Sequence, residues 1–474
     1  MLEPRRCFLS LAFNCQIYGG SVQRVISSTP RHKRWLILLM GAAVLTLGIY
    51  VIRERLERYV IAHRIYQAQI FTPPPLIAGE SQWHRLQDAV QFYWDSSEIP
   101  IARERRLRLM NPTLRPLVRE INRREAAGED MHYSMHVYRE IRWWLNFTPD
   151  IETTRGEISD LRQSLNQPEE QKLAGEQQAS DGSWGLGINV WYLRLYYSVD
   201  DVKKCRTTPR YPLTFLDRIN SPEKLDAQLD SDLYDDFTKT GVFNREELDE
   251  TFSAMARLLF ATAPTGCYTF HPQLRDALRK FVERWQNPAT GCWGQWMVDR
   301  QGRVWKMDDM GITFHVVPDL HGEVGRLDLV ARRMLQLDRV NFPAGILFNG
   351  HYENHLNWDA VRVFRYAWPT LDELTRQHVR AEISKMLHWC LTQSYLPDGS
   401  FKVSDLDDTE GDAYRYGVWF LQETGYFQRK DRFWTDQDFP ESKAVRERIE
   451  AKLKSIGLSD PGLKEAYETL HSVE

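Results

Sequence analysis

One turn pattern recurs three times along the chain and constrains its fold more than any other feature. It couples a glutamine to a Gly-x-aromatic step a few residues later: Gln178 with Gly182-Ser183-Trp184, Gln286 with Gly291-Cys292-Trp293, and Gln393 with Gly399-Ser400-Phe401. A weaker copy is Pro343-Ala344-Gly345-Ile346-Leu347. Glycine permits the tight turn, the aromatic ring covers helix ends, and glutamine satisfies exposed terminal groups. A glycine turn alternating with a helix predicts stacked helical hairpins rather than one simple bundle. From about 131 to 427 the pattern reads as almost wholly helical, with no run of alternating strands, so the fold class is all-α.

The segments after these turns also repeat. They read Asn189-Val-Trp-Tyr-Leu-Arg, Asp309-Met-Gly-Ile-Thr-Phe-His315, Asp359-Ala-Val-Arg362-Val-Phe-Arg365-Tyr366 and Asp412-Ala-Tyr414-Arg415-Tyr416. Taken singly, a short polar residue at a helix start is an N-cap. Taken together, and if these are successive inner helices, they bring Asp309, Asp359 and Asp412 to one mouth. Mutual repulsion raises a carboxyl pKa there, and helix N-termini lower it. The adjoining stretch from Asn349 to Asp359 holds His351, Glu353, His355, Asn357 and Trp358, a density of chemically active groups unusual for a structural loop. His315, His355 and the three aspartates are the candidate catalytic groups. His351, Glu353, Asn357, Trp358, Arg362 and Tyr414 are the candidate ligand contacts. His351-x-Glu353-x-His355 is not a HExxH arrangement and has no third ligand, so no metal is assigned.

The Gln-x3-Gly-x-Trp turn resembles the repeat of the squalene-hopene cyclase and protein prenyltransferase superfamily, over roughly residues 135 to 427. The second and third copies carry one and two additional residues, and Phe401 replaces the tryptophan. The resemblance implies an α/α toroid, inner and outer rings of helices around a central ligand cavity. Asp405-Leu406-Asp407-Asp408 matches the DxDD motif of class II terpenoid cyclases, which implies that Asp407 protonates an alkene or epoxide. A competing reading makes that stretch a turn that delivers Asp412.

The remaining expectations concern organisation. A net charge of −4 gives no electrostatic support for a nucleic-acid partner. Trp35 to Ile52 is apolar apart from Thr46, and its length of about 27 Å matches a bilayer core. It predicts a single-pass transmembrane helix and a lipid-bilayer partner. Six Lys/Arg precede that run against four soon after it, which favours an extracytoplasmic body. The expected layout is a cytoplasmic segment 1–34, the span 35–52, a helical linker 53–130, the toroid 131–427 and a peripheral polar tail 428–474. Asp236 to Glu247 resembles an EF-hand calcium loop, with threonine at two ligand positions; a helix-turn-helix with a polar loop is the alternative. A disulfide such as Cys267–Cys292 is compatible with the sequence. Two activities follow: a terpenoid-type enzyme on a lipid ligand, or a polysaccharide hydrolase or lyase with paired carboxylates. The third alternative is a binding toroid without catalysis.

Overall fold

Helices Trp191–Lys204, Met310–Asp319 and Glu410–Glu423 follow the glycine turns at Gly182, Gly291 and Gly399. The computed structural model describes residues 69–77, 79 and 110–472, other than 111, 125–126, 130, 148–150, 167–177, 185–187, 206–207, 236–243, 261–265, 300, 405–408 and 459. The chain divides into two units, Met1–Ile61 and Ala62–Glu474, and all described residues lie in the second.

In chain order the helices are α1 (His132–Phe147), α2 (Ile151–Leu165), α3 (Trp191–Lys204), α4 (Pro222–Leu233), α5 (Arg245–Leu259), α6 (Leu274–Trp285), α7 (Met310–Asp319), α8 (Leu327–Gln336), α9 (Asn354–Ala367), α10 (Glu373–Trp389), α11 (Glu410–Glu423), α12 (Ser442–Ile456) and α13 (Pro461–His471). Six of them form a continuous series of neighbours: α3 packs on α5, α5 on α7, α7 on α9, α9 on α11, and α11 on α13. Helices α4, α8 and α12 back this series on α5, α9 and α13. The α1–α2 hairpin carries a small core of its own around Ile121, Ile141, Leu145 and Leu161.

The first two glycine turns share a glutamine-based construction, while at the third Gln393 is exposed. Gly182 and Gly399 have φ of +86° and +91°, and a Cβ would lie 2.1 Å from the Pro212 carbonyl oxygen and 2.4 Å from that of Arg448. Only glycine fits both the dihedral and the space. Gln178 Nε2 donates to the Gly182 carbonyl at 2.5 Å and Gln286 Nε2 to that of Gly291 at 2.9 Å. In these two turns the backbone N–H of the following aromatic anchors a later helix. Trp184 donates to Ser198 Oγ on α3, and Trp293 to Thr313 Oγ1 on α7.

The fold is mostly helical but not all-α. A small sheet of order β1-β4-β3-β2 joins β1 (Phe71–Thr72), β2 (Tyr234–Asp235), β3 (Trp296–Val298) and β4 (Val304–Met307). Strands β3 and β4 form an antiparallel hairpin pairing Met297 with Trp305. Its turn is closed by Gly302 N–H donating to the Asp299 carbonyl and by the Asp299 carboxylate accepting from Gln301 and Arg303. The sheet leads directly into α7. Asp308 is fully buried, holds Arg333 at 2.7 Å and accepts from Thr290 and Asn287, so the start of α7 is rigidly placed.

Three further expectations are corrected. The C-terminal pair is not peripheral: α13 packs closely on α11, with Gly462 pressed against the Gly411 backbone, and buries Leu463, Ala466 and Leu470. Cys267 is bonded to Cys205, while Cys292 is free and buried. The single-pass membrane assignment, with its extracytoplasmic body, is overturned in that no helix among the described residues is long and apolar enough to cross a membrane. Of the helices named above the longest, α10, has 17 residues and carries charged positions such as Arg376, Arg380 and Lys385. The apolar run 35–52 itself lies outside the described residues.

Candidate active site

Helix α7 carries a histidine in a mostly apolar segment. Asp309 caps it, accepting from Ile312 N–H at 3.0 Å. Met310, Ile312, Phe314, Val316 and Val317 are buried, and His315 is a polar residue in mid-helix. His321 and Gly322 end the helix with positive φ, and Gly322 N–H donates back to the Val317 carbonyl.

Polar stripes at helical spacing on neighbouring helices converge on His315. Helix α5 contributes Glu246, Asp249, Glu250 and Ser253, while its other faces bury Leu248, Phe252, Met255 and Leu258. His315 Nδ1 donates to Asp249 Oδ1 at 2.8 Å, and Ser253 Oγ donates to Asp319 Oδ2 at 2.5 Å. From α9, His355 Nε2 lies 3.5 Å from Asp359 Oδ2, and Arg362 Nη1 lies 3.8 Å from Asp359 Oδ1. From α11, Tyr416 stacks on His355 with ring centres 3.8 Å apart and planes 10° apart. Trp358 and Trp419 extend the aromatic surface, and Arg362 lies 4.4 Å above the Trp358 ring. His315 keeps 35% of its side-chain surface open, so solvent reaches a group held between charged helices.

The electrostatics separate these groups into distinct protonation states. Burial alone would lower the His315 pKa, but the Asp249 carboxylate and the charges of Asp319 and Asp359 outweigh it and raise it to about 10. At neutral pH His315 is therefore an imidazolium. Burial works against ionisation of Asp249, yet the His315 charge and hydrogen bond, with Arg245, hold its pKa below the ordinary value. Burial pushes Asp359 up to about 7 against the pull of His315 and Arg362. Burial, reinforced by the His315 and Arg415 charges, drops His355 to about 3, so its imidazole is neutral. Burial raises Glu246 and Glu250 too, and Asp249 adds to both. The cluster thus combines a carboxylic acid that titrates near neutrality with a carboxylate fixed in the ionised form.

No protein-family model matches this chain, and neither a curated protein nor a solved structure matches it.

Several residues singled out from the sequence lie elsewhere. Asp309 forms a buried two-point pair with Arg245 (2.6 and 2.9 Å), and Arg245 separates it from Glu246 and Asp249. Asp359 does not open its helix: Glu353 is the cap, accepting from the N–H groups of His355 and Leu356. Asp412 sits in the first turn of α11, bonded to Thr409 and Arg415. The three aspartates are therefore not equivalent helix-start groups at one mouth. Tyr414 is fully buried, edge-on to Phe401, and Asn357 is fully buried as well. His351 is exposed in a short turn closed on Phe348. Asp407 and the rest of 405–408 lie outside the described residues, as does 236–243 of the calcium-like loop. Of that loop, Glu247 accepts from Gln228, which also donates to Asp232. Among the described residues no group of three His, Cys, Asp or Glu is placed to hold a metal.

Residues the sequence reading missed are Glu246, Asp249, Glu250, Asp319 and Tyr416. For Glu246, Asp249 and Glu250 the signal was present as acids at i, i+3 and i+4 in a segment that also carries Leu248, Phe252, Met255 and Leu258.

Proposed function

We propose that the six successive inner helices belong to an α/α toroid and that its centre is the active site of a glycan-cleaving enzyme. The observation that carries this is the pairing of Asp249, held ionised by His315 at 2.8 Å, with Asp359, whose carboxyl titrates at about 7. Acid–base hydrolysis of a glycosidic bond needs one carboxylic acid and one carboxylate in different environments. Asp359 gives its proton to the glycosidic oxygen as the bond from that oxygen to the sugar carbon breaks. Asp249 takes a proton from a water whose oxygen forms the new bond to the same carbon. The charge of His315 keeps Asp249 ionised and supports the charge that develops beside it. Tyr416, Trp358 and Trp419 offer ring faces on which sugars stack.

The terpenoid reading draws less support from this setting. A carbocation intermediate beside Asp249 and Asp319 would be captured by an oxygen nucleophile, and this class of enzyme favours apolar walls. Release of reducing ends from a panel of soluble polysaccharides tests the proposal. Asp359→Asn and Asp249→Asn are each expected to lower kcat by roughly 10²–10⁴-fold, and wild-type activity should fall as pH rises through about 7. Full activity in either folded variant would refute these roles.

A further inference from the structure

We infer that Arg362 receives a carboxylate of the ligand, so that the glycan of the reading above carries uronic acid residues. The inference rests on that reading and names its substrate class.

The first observation is where Arg362 stands. His355, Trp358 and Arg362 fall at i, i+3 and i+7 of α9 and so share one face of it. All three are partly open, as are Tyr416 and Trp419 on α11. The Arg362 guanidinium lies 4.4 Å over the Trp358 ring, which is 4.7 Å from Trp419 and 6.0 Å from Tyr416. Tyr416 in turn stacks on His355 at 3.8 Å, and His355 lies 3.5 Å from Asp359. One run of contacts therefore joins Arg362, through the aromatic surface, to the proposed proton donor.

The second observation is that Arg362 is uncommitted. Its ion-pair neighbour among the described residues is Asp359 at 3.8 Å, beyond hydrogen-bond reach, and 26% of its side chain is open. The other arginines nearby are tied down. Arg365 binds the Glu423 carboxylate and backbone, Arg415 pairs with Asp412 at 3.0 Å and Glu465 at 2.9 Å, and Arg245 is bonded twice to Asp309. The acids of the adjacent α7 site are engaged as well, Asp249 with His315 and Asp319 with Ser253. Below neutral pH Asp359 keeps its proton, as a proton donor must, and leaves the Arg362 charge unbalanced.

The chemistry of the missing partner follows from the guanidinium. Lying over an indole, it keeps its N–H edge for acceptors in its own plane. A carboxylate fits that fork with two parallel N–H···O bonds. A sugar stacked on the neighbouring rings carries its substituents at the ring edge, and a uronic carboxylate is the planar, charged one among them. A sugar hydroxyl accepts a single bond and leaves the charge unbalanced. A carboxylate on Arg362 also offsets the cation's pull on Asp359, which favours the acid form that cleavage uses.

Isothermal titration at pH 7 tests this with pentamers of galacturonate, glucuronate and mannuronate, their methyl esters, cellopentaose and farnesyl diphosphate. At least one uronate pentamer is expected to bind ten-fold or more tighter than its uncharged ester. Its binding should take up protons, read as a dependence of the heat on buffer ionisation enthalpy, as Asp359 shifts toward its acid form. Arg362→Met should remove both the preference and the uptake. Arg362→Lys keeps the charge without the planar fork, so the preference should fall without vanishing; it carries the test if the methionine variant fails to fold by circular dichroism. Equal binding of every uronate and its ester, or a preference unchanged in the variants, overturns the inference and leaves the glycan reading standing. Binding of farnesyl diphosphate alone, or of no probe, overturns both.

Discussion

Replacing Asp359 with asparagine should make the protein more stable above neutral pH while disabling it. The side chain is 5% exposed, and its pKa stands at about 7 against an ordinary 3.8, with burial the main cause. A folded-state pKa above the unfolded one adds stability that is complete below pH 3.8 and lost as pH rises through about 7. Above that pH the wild type carries an ionised carboxylate whose environment favours the acid by about 4 kcal/mol. Asparagine has nearly the same shape and no charge, so it escapes that loss. At pH 4 both side chains are neutral and the two proteins should melt within a degree or so of each other. At pH 8 the variant should melt higher by several degrees, at roughly 2 °C per kcal/mol for a chain of this size. Thermal melts followed by circular dichroism across pH 4 to 8 measure the difference. A gap that stays constant with pH, or a variant that melts lower at pH 8, would show that the Asp359 carboxyl is not held in an environment hostile to its charge.

Two further outcomes concern the frame around the site. Asp309→Ala strands the Arg245 guanidinium, buried with its partner at 2.6 Å, and removes the α7 cap, so it should cost about 3–5 kcal/mol in urea unfolding; the Arg245→Met/Asp309→Ser double variant removes both charges and keeps a capping oxygen, and should recover most of that loss. The Cys205–Cys267 bond closes a separation of 62 residues, so Cys205→Ser should lower stability by about 4 kcal/mol, with dithiothreitol reproducing the loss in the wild type but not in the variant.

How much of this was legible in the sequence follows from how local each signal is. The turns at Gly182, Gly291 and Gly399 were legible because their positive φ restricts the residue choice, and the constraint lies within a few positions. The β3–β4 hairpin was not, since strands of three and four residues are too short to establish an alternating period. Its trace was the Asp299 to Gly302 turn. The C-terminal helices read as peripheral because their exposed charges outnumber the Leu463, Ala466 and Leu470 positions that meet α11.

The site divides in the same way. His315, His355, Asp359 and Arg362 drew notice because histidines and mixed charges are dense in their segments. Asp249 and Glu250 did not, because acids spaced along one face of a helix ordinarily mark a solvated surface. What separates the two cases is whether a neighbouring helix presents a complementary group to that face. For α5 the answer comes from His315, 66 residues away in sequence and 2.8 Å away in space. A stripe of acids on a helix that also carries a run of buried apolar residues is therefore better read as shared with a partner helix than as solvated. Phe252 and Leu248, both fully buried, gave α5 that apolar context before any partner was known.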